Sequence, residues 1–253
     1  MGKIIIEKSG PVTTVWLNRP EKRNALDAEL LQDVKHAFTA PVAADDRVIV
    51  IRGKGNVFCA GLDMSERRET IGSGAASGIE DMLHAIELNP LPVVAVVQGD
   101  AIAGGNELAL HCDLVIASDQ ARFGMSLAQV GLAPNWFLAK KLMEVLGPVL
   151  TREMLLLGDP LPASRLHALG IIARCVPASE LEAAAQKIID RLAANAPLSL
   201  RAMKGLTVRQ LQFRDAIPHD DIDAQVRAAM QSQDAQEGMK ARLEKRTAVF
   251  RGR

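Results

Sequence analysis

The stretch from Pro92 to Asp113, PVVAVVQGDAIAGGNELALHCD, limits the folds open to this chain more than any other. Val93 to Val97 is an unbroken apolar run rich in valine, the pattern of a strand covered on both faces, and such strands belong to parallel sheets flanked by helices. The run breaks at Gln98-Gly99-Asp100. Beyond it, Gly104-Gly105 opens a helix-forming segment, Asn106 to Leu110, with Glu107 in its first turn. A strand therefore hands over to a helix through glycines, which let other groups approach the backbone closely, at a point where helix N–H groups lack partners. On this stretch alone two readings stand level. One is a cradle for an anion or a developing oxyanion; the other is a tight turn followed by an acid that complements the helix dipole. Neither a GxGxxG fingerprint here nor a GxxxxGK[ST] phosphate loop anywhere in the chain supports nucleotide binding.

A second unit of the same kind lies upstream. Val48 to Gly53 reads as another buried strand and leads to VFCAGLD, Val57 to Asp63. Two strand-to-glycine turns from separate parts of the chain can aim two backbone N–H groups at one carbonyl oxygen, which is an oxyanion hole.

The remainder alternates strands and helices. Ile4–Lys8 and Val12–Leu17 read as a hairpin across Ser9-Gly10-Pro11, and Leu30, Leu31, Val34 and Phe38 share one helix face behind a capping Asp27. A helix over Ile79–Leu88 precedes the central strand. The polar, Gly/Ser-rich segment Glu66–Gly78 is expected to be a mobile loop beside the site. Asp113–Ala117 reads as a strand, Arg122–Gly124 as a turn or short strand, and Ile171–Val176 as extended; helices fill Asn135–Leu146, Thr151–Leu157, Ala163–Leu169 and Ser179–Asn195. From Pro197 onward the pattern is helical and strand-free. These shifts predict an α/β body over residues 1–195 and a helical C-terminal region over 196–253.

Composition narrows function further. The 253 residues carry 30 basic and 30 acidic side chains, so the net charge is zero and no basic footprint for nucleic acid or membrane exists. Three widely spaced cysteines without a CxxC pattern, and an N-terminus that reads as a strand, predict a reducing, cytoplasmic location. No apolar run approaches the roughly 18 residues that a membrane span needs. No His/Cys cluster has metal-ligand spacing, and His84 and His111 read as ordinary helix residues.

Five segments in order, LNRPEKRNAL (17–26), FCAGLD (58–63), GDAIAGGNELAL (99–110), FG (123–124) and EGMKARLEKRTAVF (237–250), resemble the crotonase or enoyl-CoA hydratase/isomerase superfamily across nearly the whole chain. The resemblance implies a spiral of ββα turns followed by helices that join subunits into a trimer or a dimer of trimers. It also implies an acyl-CoA thioester as substrate, with no other cofactor and no metal. Oxyanion-hole donors then fall on the backbone N–H groups of Ala60 and Gly104. Contacts to CoA fall on Arg23, Ala25, Leu62, Asp63, Met64 and Lys245, the last reaching over from a neighbouring subunit, with Lys22 as a weaker candidate. Cys59 reads as a small core residue rather than a nucleophile.

At the acyl end the chain departs from the pattern that the resemblance implies. The first of the two hydratase glutamates falls on Glu107; the second falls on Leu127, within FGMSL. A further carboxylate position used by some isomerases falls on Asn135, and Trp136-Phe137 follows where hydratases have a small, Gly-rich run, which is expected to narrow or reshape the acyl pocket. Glu107 is thus the sole evident acid/base. Two functions follow. The first is a lyase or isomerase acting through a thioester enolate by hydration or double-bond shift; the second is a non-catalytic acyl-CoA-binding or assembly protein that kept the hole and lost the acid pair.

Overall fold

The computed structural model describes residues 2–64 and 78–252. The segment expected as a mobile loop, Glu66–Gly78, lies outside the described residues except for Gly78. In chain order the body comprises β1 (Ile4–Ser9), β2 (Val12–Leu17), α1 (Ala28–Thr39), β3 (Val48–Gly53), α2 (Ile79–Glu87), β4 (Val93–Val97), β5 (Ala101–Ile102), α3 (Gly104–Leu110), β6 (Leu114–Ser118) and β7 (Arg122–Gly124). It continues with α4 (Trp136–Leu156), β8 (Leu161–Pro162), α5 (Ala163–Ala168), β9 (Arg174–Val176) and α6 (Leu181–Ala194). Then come α7 (Pro197–Leu211), α8 (Asp220–Gln231) and α9 (Gln233–Leu243), with no strand among the described residues past Val176.

Six strands form one sheet in the order β1-β2-β3-β4-β6-β9, antiparallel at the β1–β2 hairpin and parallel thereafter. Three short strands form a second sheet in the order β5-β7-β8. The chain visits one sheet, then the other, then a helix: β4, β5, α3, and again β6, β7, α4. The second sheet was not legible as such, because β5 and β8 are two residues each.

Strand alternation sorts the core onto both faces of the large sheet. Val48, Val50, Val94, Val96 and Ile116 meet Leu181, Ala185 and Ile189 of α6. Ile49, Ile51, Val93, Ala95 and Val97 face the other way, toward Leu30, Val34 and Phe38 of α1 and Met82, Leu83 and Ile86 of α2. Asp27 caps α1 as expected, its carboxylate accepting from Leu30 N–H at 2.9 Å. The two helices read on either side of Gly147-Pro148 are interrupted as expected, since Gly147 takes a non-helical φ of 68° and ψ of 173°; the label α4 covers both halves.

What positions the site is a set of close backbone approaches. Asn24, fully buried with φ 54°, donates its amide to the carbonyls of Val57 at 2.8 Å, Lys54 at 2.9 Å and Phe58 at 3.1 Å, and accepts from Arg19 N–H at 3.0 Å. It thereby fastens the loop after β2 to the loop after β3. Gln98 joins the loop after β4 to the same place, donating to the carbonyls of Gly53, Gly55 and Val57. Asn24→Ala leaves several carbonyls without a donor in a dry region, and we expect a loss of about 2 to 4 kcal/mol in unfolding free energy, read by denaturant titration. A loss under about 0.5 kcal/mol would contradict the role given to this side chain.

Candidate active site

The two glycine turns that the sequence singled out meet. Gly61, at φ 89°, lies so close to the start of α3 that an added Cβ would stand 2.9 Å from Ile102 O and 3.1 Å from Gly104 N. Gly105 is tighter still, since a Cβ there would fall 2.1 Å from the carbonyl oxygen of Cys59. No side chain fits at such separations, so glycine is required by contact rather than by turn type. Between the two turns Ala103 takes φ 50° and ψ −115°, a conformation that costs a non-glycine residue about 1 to 3 kcal/mol. It is held there because its N–H donates to Gly124 O at 2.7 Å and its carbonyl accepts from Glu107 N–H at 3.1 Å.

One expected donor is corrected. The N–H of Ala60 donates to the carbonyl of Arg23 at 3.0 Å, so it is already occupied and cannot hold a substrate oxygen. Two residues on, the carbonyl of Gly61 accepts from Leu26 N–H and the N–H of Asp63 donates to Leu26 O, which brackets Leu62 in a single parallel bridge. In that register the N–H of Leu62 faces away from the bridge and has no acceptor among the described residues, and neither has the N–H of Gly104. Leu62, expected among the CoA contacts, has a half-buried side chain that packs on the core.

Glu107 is fully buried, and neither carboxylate oxygen has a hydrogen-bond partner among the described residues. Desolvation pushes its carboxyl well above the usual range, partly offset by the positive field of Lys141. His111, also buried, donates from Nδ1 to Glu107 O at 2.8 Å, which leaves Nε2 bare. Burial, followed by the Lys141 charge, holds this imidazole well below its ordinary value. The 3.7 Å separation between His111 Nδ1 and Glu107 Oε2 is therefore a contact between two groups driven toward neutrality, not an ion pair. Lys141 itself is bound to Glu87 and lies 3.7 Å from Glu144.

The other expected residues divide. Leu127 is half-buried and packs against two apolar clusters, so no carboxylate stands at that position. Asn135 caps α4, accepting from Leu138 N–H at 3.0 Å. Phe137 sits between His84 and His111, with ring centroids 4.6 and 5.3 Å away, and so reaches the neighbourhood of Glu107. Trp136 turns elsewhere and stacks on His219 at 4.5 Å. Arg23 is exposed with φ 52°, beside an exposed Lys22. The Ala25 carbonyl accepts from Arg19, and Asp63 is ion-paired with the same guanidinium at 3.1 Å. Met64 is half-buried, and Lys245 stands exposed just past α9 with φ 54°. Cys59 and Cys112 are buried and Cys175 half-buried, all three as free thiols; burial pushes the Cys59 thiol up to about 12, which makes it inert as a nucleophile. Among the described residues no three His, Cys, Asp or Glu side chains could hold a metal ion, and no helix is long and apolar enough to cross a membrane.

A family model for enoyl-CoA hydratase/isomerase matches residues 7–253. The chain belongs to that family. It is 31% identical to enoyl-CoA hydratase EchA19 of Mycobacterium tuberculosis, over 98% of this chain and 96% of the relative, and 32% identical to crotonyl-CoA hydratase of Syntrophomonas wolfei, over 98% and 97%. Among solved structures, methylmalonyl-CoA decarboxylase complexed with 2S-carboxypropyl-CoA superposes with a TM-score of 0.90 at 25% identity, over 100% of this chain and 99% of that one. The two-sheet ββα arrangement described above is accordingly the crotonase fold.

Three features of this family member escaped sequence reasoning: the commitment of the Ala60 N–H, the His84–Phe137–His111 stack, and a contact between Asn135 and Glu80 at 2.6 Å. Glu80 reads in sequence as one of two acids opening a helix, and nothing in its spacing separates it from Asp81.

Burial of Glu107 has a consequence for stability that can be measured. In the unfolded chain its carboxyl ionises near 4.5, whereas in the folded chain it keeps its proton to well above that pH. Folding therefore retains a proton above pH 4.5, and stability falls as pH rises through the interval between the two values. Glu107→Gln removes this dependence. Its melting temperature is expected to exceed that of the wild type by a margin that widens between pH 5 and pH 8; a margin independent of pH would contradict the neutral state assigned to Glu107.

Proposed function

We propose that this family member binds an acyl-CoA thioester and transfers a proton at the carbon next to the thioester carbonyl, through an enolate. The N–H groups of Leu62 and Gly104 hold the enolate oxygen, and Glu107 carries the proton. The observation that carries this reading is a fully buried carboxyl with both oxygens unpartnered, one turn from the free N–H of Gly104 on the same helix. Such a group, pushed by burial toward its protonated form, suits delivery of a proton to a carbanion in a dry site. The names of the relatives, hydratases acting on enoyl-CoA and crotonyl-CoA, point to water addition or its reverse. A reaction of that kind needs no cofactor besides the CoA ester and suits a cytoplasmic enzyme.

A second reading has an observation in its favour. The methylmalonyl-CoA decarboxylase match, together with an apolar residue at position 127, fits loss of CO₂ from a malonyl-type thioester. There the carbon–carbon bond to the carboxylate breaks, its electron pair forms the same enolate, and Glu107 supplies the proton. A protein that only binds acyl-CoA remains the reading to be overturned.

Assembly belongs to the same proposal. Leu198, Met203 and Leu206 of α7 and Phe213 just beyond it are all more than half exposed in a single chain, and a trimer or a dimer of trimers would cover them. Sedimentation as a monomer at micromolar concentration would contradict it.

Turnover of a panel of 2-enoyl-CoA, 3-enoyl-CoA and methylmalonyl-CoA thioesters tests the chemistry. Glu107→Gln is expected to lower turnover of the best substrate by about 10²-fold or more, while acyl-CoA binding survives. Binding without turnover of any member, or turnover indifferent to the substitution, would contradict the assignment.

A further inference from the structure

The amide of Asn135 is fixed from both ends. Its oxygen accepts from Leu138 N–H at 3.0 Å to cap α4, which leaves the NH₂ pointing away from that helix, and there it donates to Glu80 Oε1 at 2.6 Å. Glu80 lies in the first turn of α2, half-buried, and its second oxygen has no partner among the described residues. Its neighbour Asp81 points outward to an exposed ion pair with Lys35. Two adjacent acids at a helix start thus have opposite fates, and the inner one faces no cation of the described residues within ion-pairing distance.

The surroundings place Glu80 beside the acyl site. The preceding residue, Ile79, packs its Cδ1 atom 3.0 Å from where a Gly104 Cβ would stand, so the first turn of α2 abuts the first turn of α3. One turn further along α2, His84 stacks on Phe137, which stacks on His111, which is hydrogen-bonded to the Glu107 carbonyl. Glu80 and Glu107 therefore approach the first turn of α4 from two helices, Glu80 through its bond to the capping Asn135 and Glu107 through His111, whose ring lies between it and Phe137.

We propose that Glu80 is the second proton-carrying group of this site, taking a proton from the water that adds at the β-carbon of a 2-enoyl thioester while Glu107 delivers its own proton to the α-carbon. The proposal rests on the thioester reading above and deepens it toward water addition. The bookkeeping closes without a co-reactant. An O–H bond of water breaks toward Glu80 as oxygen bonds to the β-carbon, and the π electrons move onto the thioester oxygen. When that enolate collapses, the O–H bond of Glu107 breaks toward the α-carbon. Glu80 ends protonated and Glu107 ionised, and a proton passes between them through solvent before the next turnover. Asn135 positions the carboxylate by presenting one donor to one oxygen, which leaves the other for water.

Two activities separate the roles. Water addition to the fastest 2-enoyl-CoA of a straight-chain panel needs both carboxyls, whereas exchange of the α-hydrogens of butanoyl-CoA in D₂O, read by mass at alkaline pH, needs only the oxyanion donors and the ionised fraction of Glu107, whose carboxylate takes the α-proton, trades it with solvent and returns a deuteron. Glu80→Gln is expected to lower water addition by about 10²-fold or more and exchange by less than about tenfold, with Glu107→Gln abolishing both. Asn135→Ser, which keeps an oxygen to cap α4 and removes the amide donor, is expected to lower water addition by about tenfold with the same asymmetry. Equal loss of the two activities in Glu80→Gln, or none in water addition, would overturn the proposal and leave Glu80 as a tie between α2 and α4. Wild-type exchange without any water addition would overturn this proposal alone. Absence of both would overturn the thioester reading with it.

Discussion

The contact between the Cys59 carbonyl and Gly105 is the constraint on which the site depends. With a Cβ excluded by an approach of 2.1 Å, the loop after β3 and the first turn of α3 can touch backbone to backbone. That approach brings Gly61, and with it Leu62, against Gly104. Three long-range pieces hold the loop in place: Asn24 from the segment after β2, Gln98 from the segment after β4, and Arg23, whose carbonyl takes the Ala60 N–H. Each supplies a partner for a backbone group of the loop that would otherwise be buried alone. Among the described residues the Leu62 and Gly104 N–H groups are left without an acceptor, and donors fixed in this way need no reorganisation to receive negative charge.

Electrostatics complete the arrangement by keeping Glu107 short of full isolation. A carboxyl stripped of water and hydrogen bonds costs too much to ionise, and its neighbour His111 is held neutral by the same burial. Beneath them Lys141 is anchored by Glu87 and Glu144, with Arg214 3.8 Å from Glu144. The Lys141 field is the one nearby influence that favours a Glu107 carboxylate, and it acts without a direct contact that would quench the group. Burial thus favours the neutral carboxyl, and the Lys141 field offsets part of that preference.

Much of this was legible in the sequence because it depends on local pattern. Continuous valine runs named the buried strands, Asp27 named a helix start, and the pairs Gly104-Gly105 and Ala60-Gly61 named the two turns that meet. What was not legible depends on register across the chain. Ala60 and Leu62 are two residues apart on one turn, and only the bridge between Leu26 and Leu62 decides which N–H is spent and which is free. The second sheet rests on two-residue strands with no periodicity to detect. Glu80 and Asp81 differ only in the face of α2 each occupies, which is set by the packing of Ile79 on Gly104.

The central claim is that the Leu62 and Gly104 N–H groups together receive the thioester oxygen. A crystal structure of the protein with a slowly turned-over acyl-CoA thioester tests it most directly. The account places the carbonyl oxygen about 3 Å from both nitrogens, with the α-carbon facing Glu107. A thioester oxygen held by the Ala60 N–H, or lying beyond hydrogen-bond reach of either Leu62 or Gly104, would contradict it.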